Sequence, residues 1–267
     1  MDIVALLSLG TPVEVEAPLL AADLGSTPYE TALLLRAPSP IPILRTDDRT
    51  RALGLLSRLR ARGHDAVACD VNAVVLAAAM TQVRGFALEP DALVVRSESG
   101  SNERIGWGDF IAFVRAVHRT RSESIEKNTT QKFDLGRAAW SGGLMVTKKV
   151  TTTTKHATEE REPVVYAFRH EGAPLLLAQS RVRYEGLAES LRPSQLENFA
   201  TLLRVLRERA PRAAYDERLL AARPQNDRVR AGPSGGVSSS TSDGVDLLAH
   251  LVAMAVSRTT PYRDGRA

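Results

Sequence analysis

The chain has a single cysteine, Cys69, which excludes an internal disulfide and any zinc site built from several cysteines. Lysine is scarce as well: of 35 basic residues 5 are lysine and 30 arginine. Alongside many alanines this reads as a GC-rich coding bias, so arginine abundance alone carries no functional weight. The 5 histidines (64, 118, 156, 170 and 250) form no H-x-x-x-H pair, and no acidic cluster has metal-ligand spacing. No metal or other cofactor is therefore expected. No apolar run approaches the roughly 20 residues of a membrane helix, and Met1-Asp2-Ile3 lacks the basic start of a signal peptide. These absences point to a cytoplasmic protein without an integral membrane segment.

The formal net charge is +4 over 267 residues. It is divided as −2 over residues 1–83, +4 over 84–210 and +2 over 211–267. No stretch has the dense field that drives counterion release, so nucleic acid is not an expected partner. With 43% hydrophobic residues the chain has ample material for buried cores.

Two copies of one helix-start signal stand near the N-terminus, Thr11-Pro12-Val13-Glu14 and Thr27-Pro28-Tyr29-Glu30. In each, the threonine can cap the first turn, proline suits the first helical position, and glutamate can complete a capping box. A short apolar run over 3–9 precedes them and reads as a buried strand. Pro18 inside the first helix predicts a kink or a restart. Pro38, Pro40 and Pro42 end the second helix and favour a strand over 41–44. A third helix is capped by Thr46 or Asp47, presents Ala52, Leu55, Leu56 and Leu59 on one face, and stops at Gly63. Residues 65–70 read as a closing strand. The order strand, helix, helix, strand, helix, strand predicts a small helix-on-sheet sandwich over 1–72.

Leu24-Gly25, Glu30-Thr31-Ala32, the proline-rich break, and Asp48, Ala52-Leu53, Leu56, Leu59, Gly63 and Val67 together resemble the C-terminal domain of the bacterial ribosomal stalk protein. That domain shares its fold with the adaptor of the Clp protease, and Thr11-Pro12-Val13-Glu14 is similar to an adaptor motif. The resemblance implies a shared α+β fold and a protein-docking surface. The adaptor's peptide-binding residues do not carry over, because Leu7-Ser8-Leu9-Gly10 replaces its acidic and amide approach and the 28–36 helix has no histidine.

From Arg84 the texture changes to strands. Residues 85–88 and 92–96 flank the turn Glu89-Pro90-Asp91, and a polar loop over 97–102 leads to a strand over 104–107. Residues 109–117 suit helix or strand, with aromatic and β-branched content favouring strand. Residues 119–131 read as a polar loop. Strands over 133–138 and 144–155 flank Trp140-Ser141-Gly142-Gly143, and strands over 164–169 and 175–184 flank His170-Glu171-Gly172. A helix then runs from a Ser194 cap, with Glu197 at the box position, to Pro211. Phe86, Leu88, Asp91-Ala92-Leu93, Ile105-Gly106-Trp107 and Ile111, with the closing helix, resemble a bacterial pleckstrin-homology-like domain over 80–222. That resemblance implies a mostly antiparallel β barrel or sheet. The expected class is thus α+β, with a flexible linker over 223–243 and a C-terminal helix over 244–258. That helix is apolar enough to require a surface, on its own chain or on a partner.

Candidate chemistry is thin. Gly232-Pro233-Ser234-Gly235-Gly236 matches a nucleophile elbow in letters, but it sits in the expected linker and lacks the strand and helix an elbow requires. Arg137, Lys148, Lys149 and Lys155 concentrate cations around one hairpin. In pleckstrin-type domains such a hairpin holds anionic headgroups or acidic peptides; the plainer role of its lysines is to guard an edge strand against aggregation. The leading expectation is a non-enzymatic interaction protein that docks a peptide or protein partner. The alternative is a peripheral sensor of anionic lipid or another anion through that hairpin.

Overall fold

A computed structural model describes residues 1–133, 147–221, 228–231 and 237–259, with side chains described for 1–120, 158–221 and 240–258. Strand β1 (Asp2–Ser8) is the centre of a three-stranded antiparallel sheet, flanked by β2 (Ile41–Thr46) and β3 (Asp65–Asp70). Val4 stands opposite Leu44 on one side and Ala68 on the other. Helices α1 (Val13–Leu24), α2 (Pro28–Leu35) and α3 (Arg49–Ala61) cover one face, burying Leu20, Leu35, Leu55 and Leu59 against Val4 and Leu6. This is the sandwich expected over 1–72.

The caps divide by residue. Thr27 and Glu30 make the full capping box, with Glu30 N donating to Thr27 Oγ1 at 3.2 Å and Thr27 N to Glu30 Oε2 at 3.1 Å. Asp48, rather than its neighbours, caps α3 by accepting from Arg51 N at 3.0 Å. Thr11 caps nothing: α1 begins one residue later, on Pro12, without a side-chain cap. Pro18 lies inside α1, which runs through it as one helix.

What holds α1 down is buried charge. Glu16 is fully buried, and Arg62 Nη2 lies 2.8 Å from its Oε1 and 2.9 Å from Asp23 Oδ2. His64 Nδ1 accepts from Gly10 N at 2.9 Å, which leaves the ring proton on Nε2, 2.7 Å from Glu16 Oε2. Gly10 must approach the Gly63 backbone to make that bond. A Cβ on Gly10 would lie 2.2 Å from Gly63 O, and Gly63 itself has φ +83.

The second sheet is mixed and open. Its strand order is β10 (Ala214–Leu219), β7 (Phe110–Phe133), β8 (Thr147–Arg169), β9 (Leu175–Ala178), β4 (Thr81–Leu88), β5 (Ala92–Ser97), β6 (Asn102–Gly106). It is a sheet and not a barrel, and two of its pairs, β10 with β7 and β4 with β9, are parallel. Helix α4 (Gln195–Arg209) starts at its Ser194 cap and packs Phe199, Leu202 and Leu206 on one face, against Leu93, Phe113 and Val165. The other face meets helix α5 (Ser242–Thr259), whose Val245, Leu248, Leu251 and Val252 pack against Val164 and Tyr166.

The same helix also covers the second face of the first sheet, where Ala5, Leu7, Val67 and Cys69 share its core. The layers therefore run α1–α3, first sheet, α5, second sheet, α4. The boundaries expected at 72 and 80 do not mark separate compact units: Met1–His118, Glu162–Asn226 and Thr241–Ala267 form one. The physical reason is the burial of β1 on both faces, which demands a second cover. The C-terminal helix supplies it, so its apolar surface is spent within its own chain.

A second unit comprises Arg119–Arg161 and Asp227–Ser240. Residues 119–131, expected as a loop, belong to strand β7. Residues 223–243, expected as a linker, contain β11 (Arg228–Ala231) and β12 (Val237–Ser240). Strand β12 pairs antiparallel with β11 and with β7, where Val237 faces Glu123 and Ser240 faces Thr120. Backbone pairing does not require apolar side chains, so a polar stretch can be a strand that hydropathy reads as a loop.

Two glycine substitutions test these packing claims. Gly10→Ala drives a methyl into fixed backbone and is expected to cost roughly 1–3 kcal/mol in urea unfolding. Gly54→Ala, inside α3 with only Arg58 Nη1 at 3.6 Å, is expected to stabilise by about 0.5–1 kcal/mol.

Candidate functional site

Strand β4 carries an irregularity between Val83 and Gly85, where its register to β5 shifts. Arg84 occupies that break. Gly85 then pairs with Arg96 on β5. The β5–β6 connection is the serine turn Ser97-Glu98-Ser99-Gly100-Ser101, in which Gly100 adopts φ +85 and the Ser97 hydroxyl shares hydrogen bonds of 2.7 Å with Ser99 and Ser101. From the opposite side comes the segment after β9. There Val182 and Tyr184 are buried while Arg181 and Arg183 are exposed.

This segment is clamped to β4. Arg183 N donates to Arg84 O at 2.9 Å. Tyr184 OH donates to Gln179 O at 2.7 Å. Gly186 sits so close that a Cβ would lie 2.0 Å from Phe86 O. Between the segment and the β4–β5 hairpin lies a groove of about 640 Å³, lined by Arg84, Arg96, Arg181 and Arg183 together with Glu98 and Glu185.

The charges do not cancel. Arg84 pairs with Glu98. Arg96, Arg181 and Arg183 have no acidic partner among the described residues, and the groove carries two more cations than anions. Guanidiniums carried on β5 and the segment after β9, and left without acidic partners, are suited to carboxylate or phosphoryl oxygens.

A second polar cluster is of another kind. Tyr166 OH donates to Asp246 Oδ1 at 2.6 Å and lies 2.5 Å from His118 Nε2. Since the hydroxyl proton goes to Asp246, the neutral ring of His118 donates to the tyrosine oxygen. Asp246 Oδ2 also accepts from Ala77 N at 2.6 Å. One helical turn on, His250 Nε2 lies 3.0 Å from Val75 O. Burial pushes the Asp246 carboxyl up to about 6 and the His118 imidazole down to about 4. Burial, reinforced by the adjacent Asp246 carboxylate, also raises the Tyr166 phenol well above its ordinary range. These groups satisfy one another inside the core between α5 and the second sheet. They fasten α5 to its neighbours.

The side chains of the expected cationic hairpin lie outside the described residues. Arg137 lies outside the described residues, as do Trp140-Ser141-Gly142-Gly143 and the elbow-like 232–236. Lys148, Lys149 and Lys155 lie on β8, with side chains outside the described set. All 5 lysines fall within 119–161, and the arginine groove shares no residue with that stretch. Among the described residues no group of three or more His, Cys, Asp or Glu could hold a metal ion. Cys69 is buried, and burial raises its thiol, which disfavours the thiolate. No helix among the described residues is long and apolar enough to cross a membrane.

Sequence reasoning missed Arg84, Arg96, Arg181 and Arg183. They come from two segments nearly a hundred positions apart, and arginine had been set aside as compositional. The available signal was the alternation Arg181-Val182-Arg183-Tyr184, which places both cations on one side of an extended segment.

No family model, curated protein or solved structure matches this chain.

The His118–Asp246 pair gives an acid-stability test. The lowered His118 pKa stabilises the folded state above 6.5, and that contribution is lost as pH falls towards 4. The raised Asp246 pKa acts oppositely, its contribution being present below 3.8 and lost as pH rises through 6. Between about 4 and 6 the pair holds one proton whether folded or unfolded, so the two effects offset. Asp246→Asn should therefore lose about 2 kcal/mol relative to wild type between pH 7 and 4.5, and His118→Gln should gain a similar amount, in urea unfolding at both pH values.

Proposed function

We propose that this is a non-catalytic interaction protein that docks an acidic polypeptide segment in the groove lined by Arg84, Arg96, Arg181 and Arg183. The observation that carries this reading is the set of three guanidiniums without acidic partners along one rigid groove. Elsewhere in the same unit, cations that pack against protein either have carboxylate partners, as Arg62 has Glu16 and Asp23 and Arg169 has Glu103, or are spent on a backbone carbonyl or an aromatic ring, as Arg60 is on Ala66 O and Arg207 on Tyr215. An incoming carboxylate would meet arginines whose backbone is already tied down, so that ordering is confined to their side chains.

The lysine concentration in 119–161 favours a second reading, attraction to an anionic lipid surface through Lys148, Lys149 and Lys155. The two readings invoke different residues, so one set of variants separates them. Fluorescence anisotropy with a labelled glutamate-rich peptide should show binding that weakens with salt and falls about tenfold or more in Arg96→Ala and Arg183→Ala. Lys148→Ala with Lys149→Ala should leave peptide binding intact. Unchanged peptide affinity in both arginine variants sinks the groove assignment. Co-flotation with anionic vesicles that is lost only in the lysine variant would favour the lipid reading.

A further inference from the structure

We infer that the groove recognises its acidic segment through a phosphoryl group on that polypeptide. This inference rests on the acidic-segment reading and narrows its chemistry. Four arginines and two glutamates line the groove, which leaves an excess of two positive charges. The pairing of Arg84 with Glu98 already shows what one carboxylate does here: it occupies one guanidinium. A single incoming carboxylate would leave the groove one charge short of balance.

A phosphoryl monoester carries about −1.5 to −2 charges at pH 7 and offers three acceptor oxygens. It matches the surplus in one group and can engage more than one arginine fork. Neutral donors are at hand as well. Ser97, Ser180 and Asn102 line the same groove. The Asn102 amide and the Ser180 hydroxyl have no side-chain hydrogen-bond partner among the described residues. The buried flanks Val182, Tyr184 and Phe86 hold the arginine-bearing backbone in place without charge of their own.

The test uses the full chain and three labelled peptides of one acidic sequence, with phosphoserine, glutamate or serine at the central position. Anisotropy at pH 7.5 should give at least tenfold tighter binding for phosphoserine than for glutamate. Arg96→Ala and Arg183→Ala should remove most of that difference, while circular dichroism confirms that these exposed positions leave the fold intact. Glu98→Gln, which frees Arg84, should tighten the phosphopeptide more than the glutamate peptide. Lowering the pH to 5.5 protonates the phosphoryl group and should weaken the phosphopeptide alone, its second pKa being near 6. Equal affinity for phosphoserine and glutamate peptides overturns this inference and leaves the acidic-segment reading standing. Failure of all three peptides to bind overturns both. Binding of inorganic pyrophosphate, or of vesicles containing phosphatidylinositol 4-phosphate, with no preference for the phosphopeptide would place the phosphoryl group on another carrier and refute the polypeptide assignment.

Discussion

Helix α5 lies between two sheets, and the architecture of the larger unit depends on that burial. Its Val245, Leu248, Leu251 and Val252 give the first sheet a second cover and close one face of the other. Burying four such side chains contributes on the order of 1.5–3 kcal/mol each before entropy is counted. Apolar contact is non-directional, however, and would let the helix slide or turn. Asp246 and His250 remove that freedom. One accepts from Tyr166 and from the Ala77 amide, the other meets the Val75 backbone, so two successive turns on one side of the helix are fixed in register.

Buried and exposed charges are handled in contrasting ways. Inside, Glu16 faces both Arg62 and His64, and Asp246 is supplied with hydrogen bonds, because an uncompensated charge in the core costs several kcal/mol. Along the groove, water solvates the guanidiniums of Arg96, Arg181 and Arg183, so the fold tolerates them without partners. What a ligand gains there is the exchange of that hydration for ionised oxygens held by arginine forks. The groove's rigidity comes from the neutral residues between the arginines. Gly186 and Phe86 approach backbone to backbone, and the Arg183 amide ties the segment to β4.

Legibility followed the range of each signal. The Thr27–Glu30 box, the Ser194 cap, the amphipathic face of α4 and the His170–Gly172 turn are local, and the α+β class follows from their order. Residues 119–131 and 223–243 misled because strand formation there rests on ladder partners, as between Val237 and Glu123, and not on hydropathy. Thr11 misled because the chain leaves β1 at a close approach of Gly10 to Gly63, which moves the helix start to Pro12.

The amino-acid order by itself determined where most helices begin and end, which faces are apolar, and that the chain is α+β, since capping and periodicity act over a few residues. Tertiary structure alone decided that the first seventy residues share a core with helix α5. It also decided that arginines from β4, β5 and the segment after β9 line one groove. Both outcomes depend on contacts between positions about a hundred or more residues apart, and spacing along the chain carries no record of such contacts.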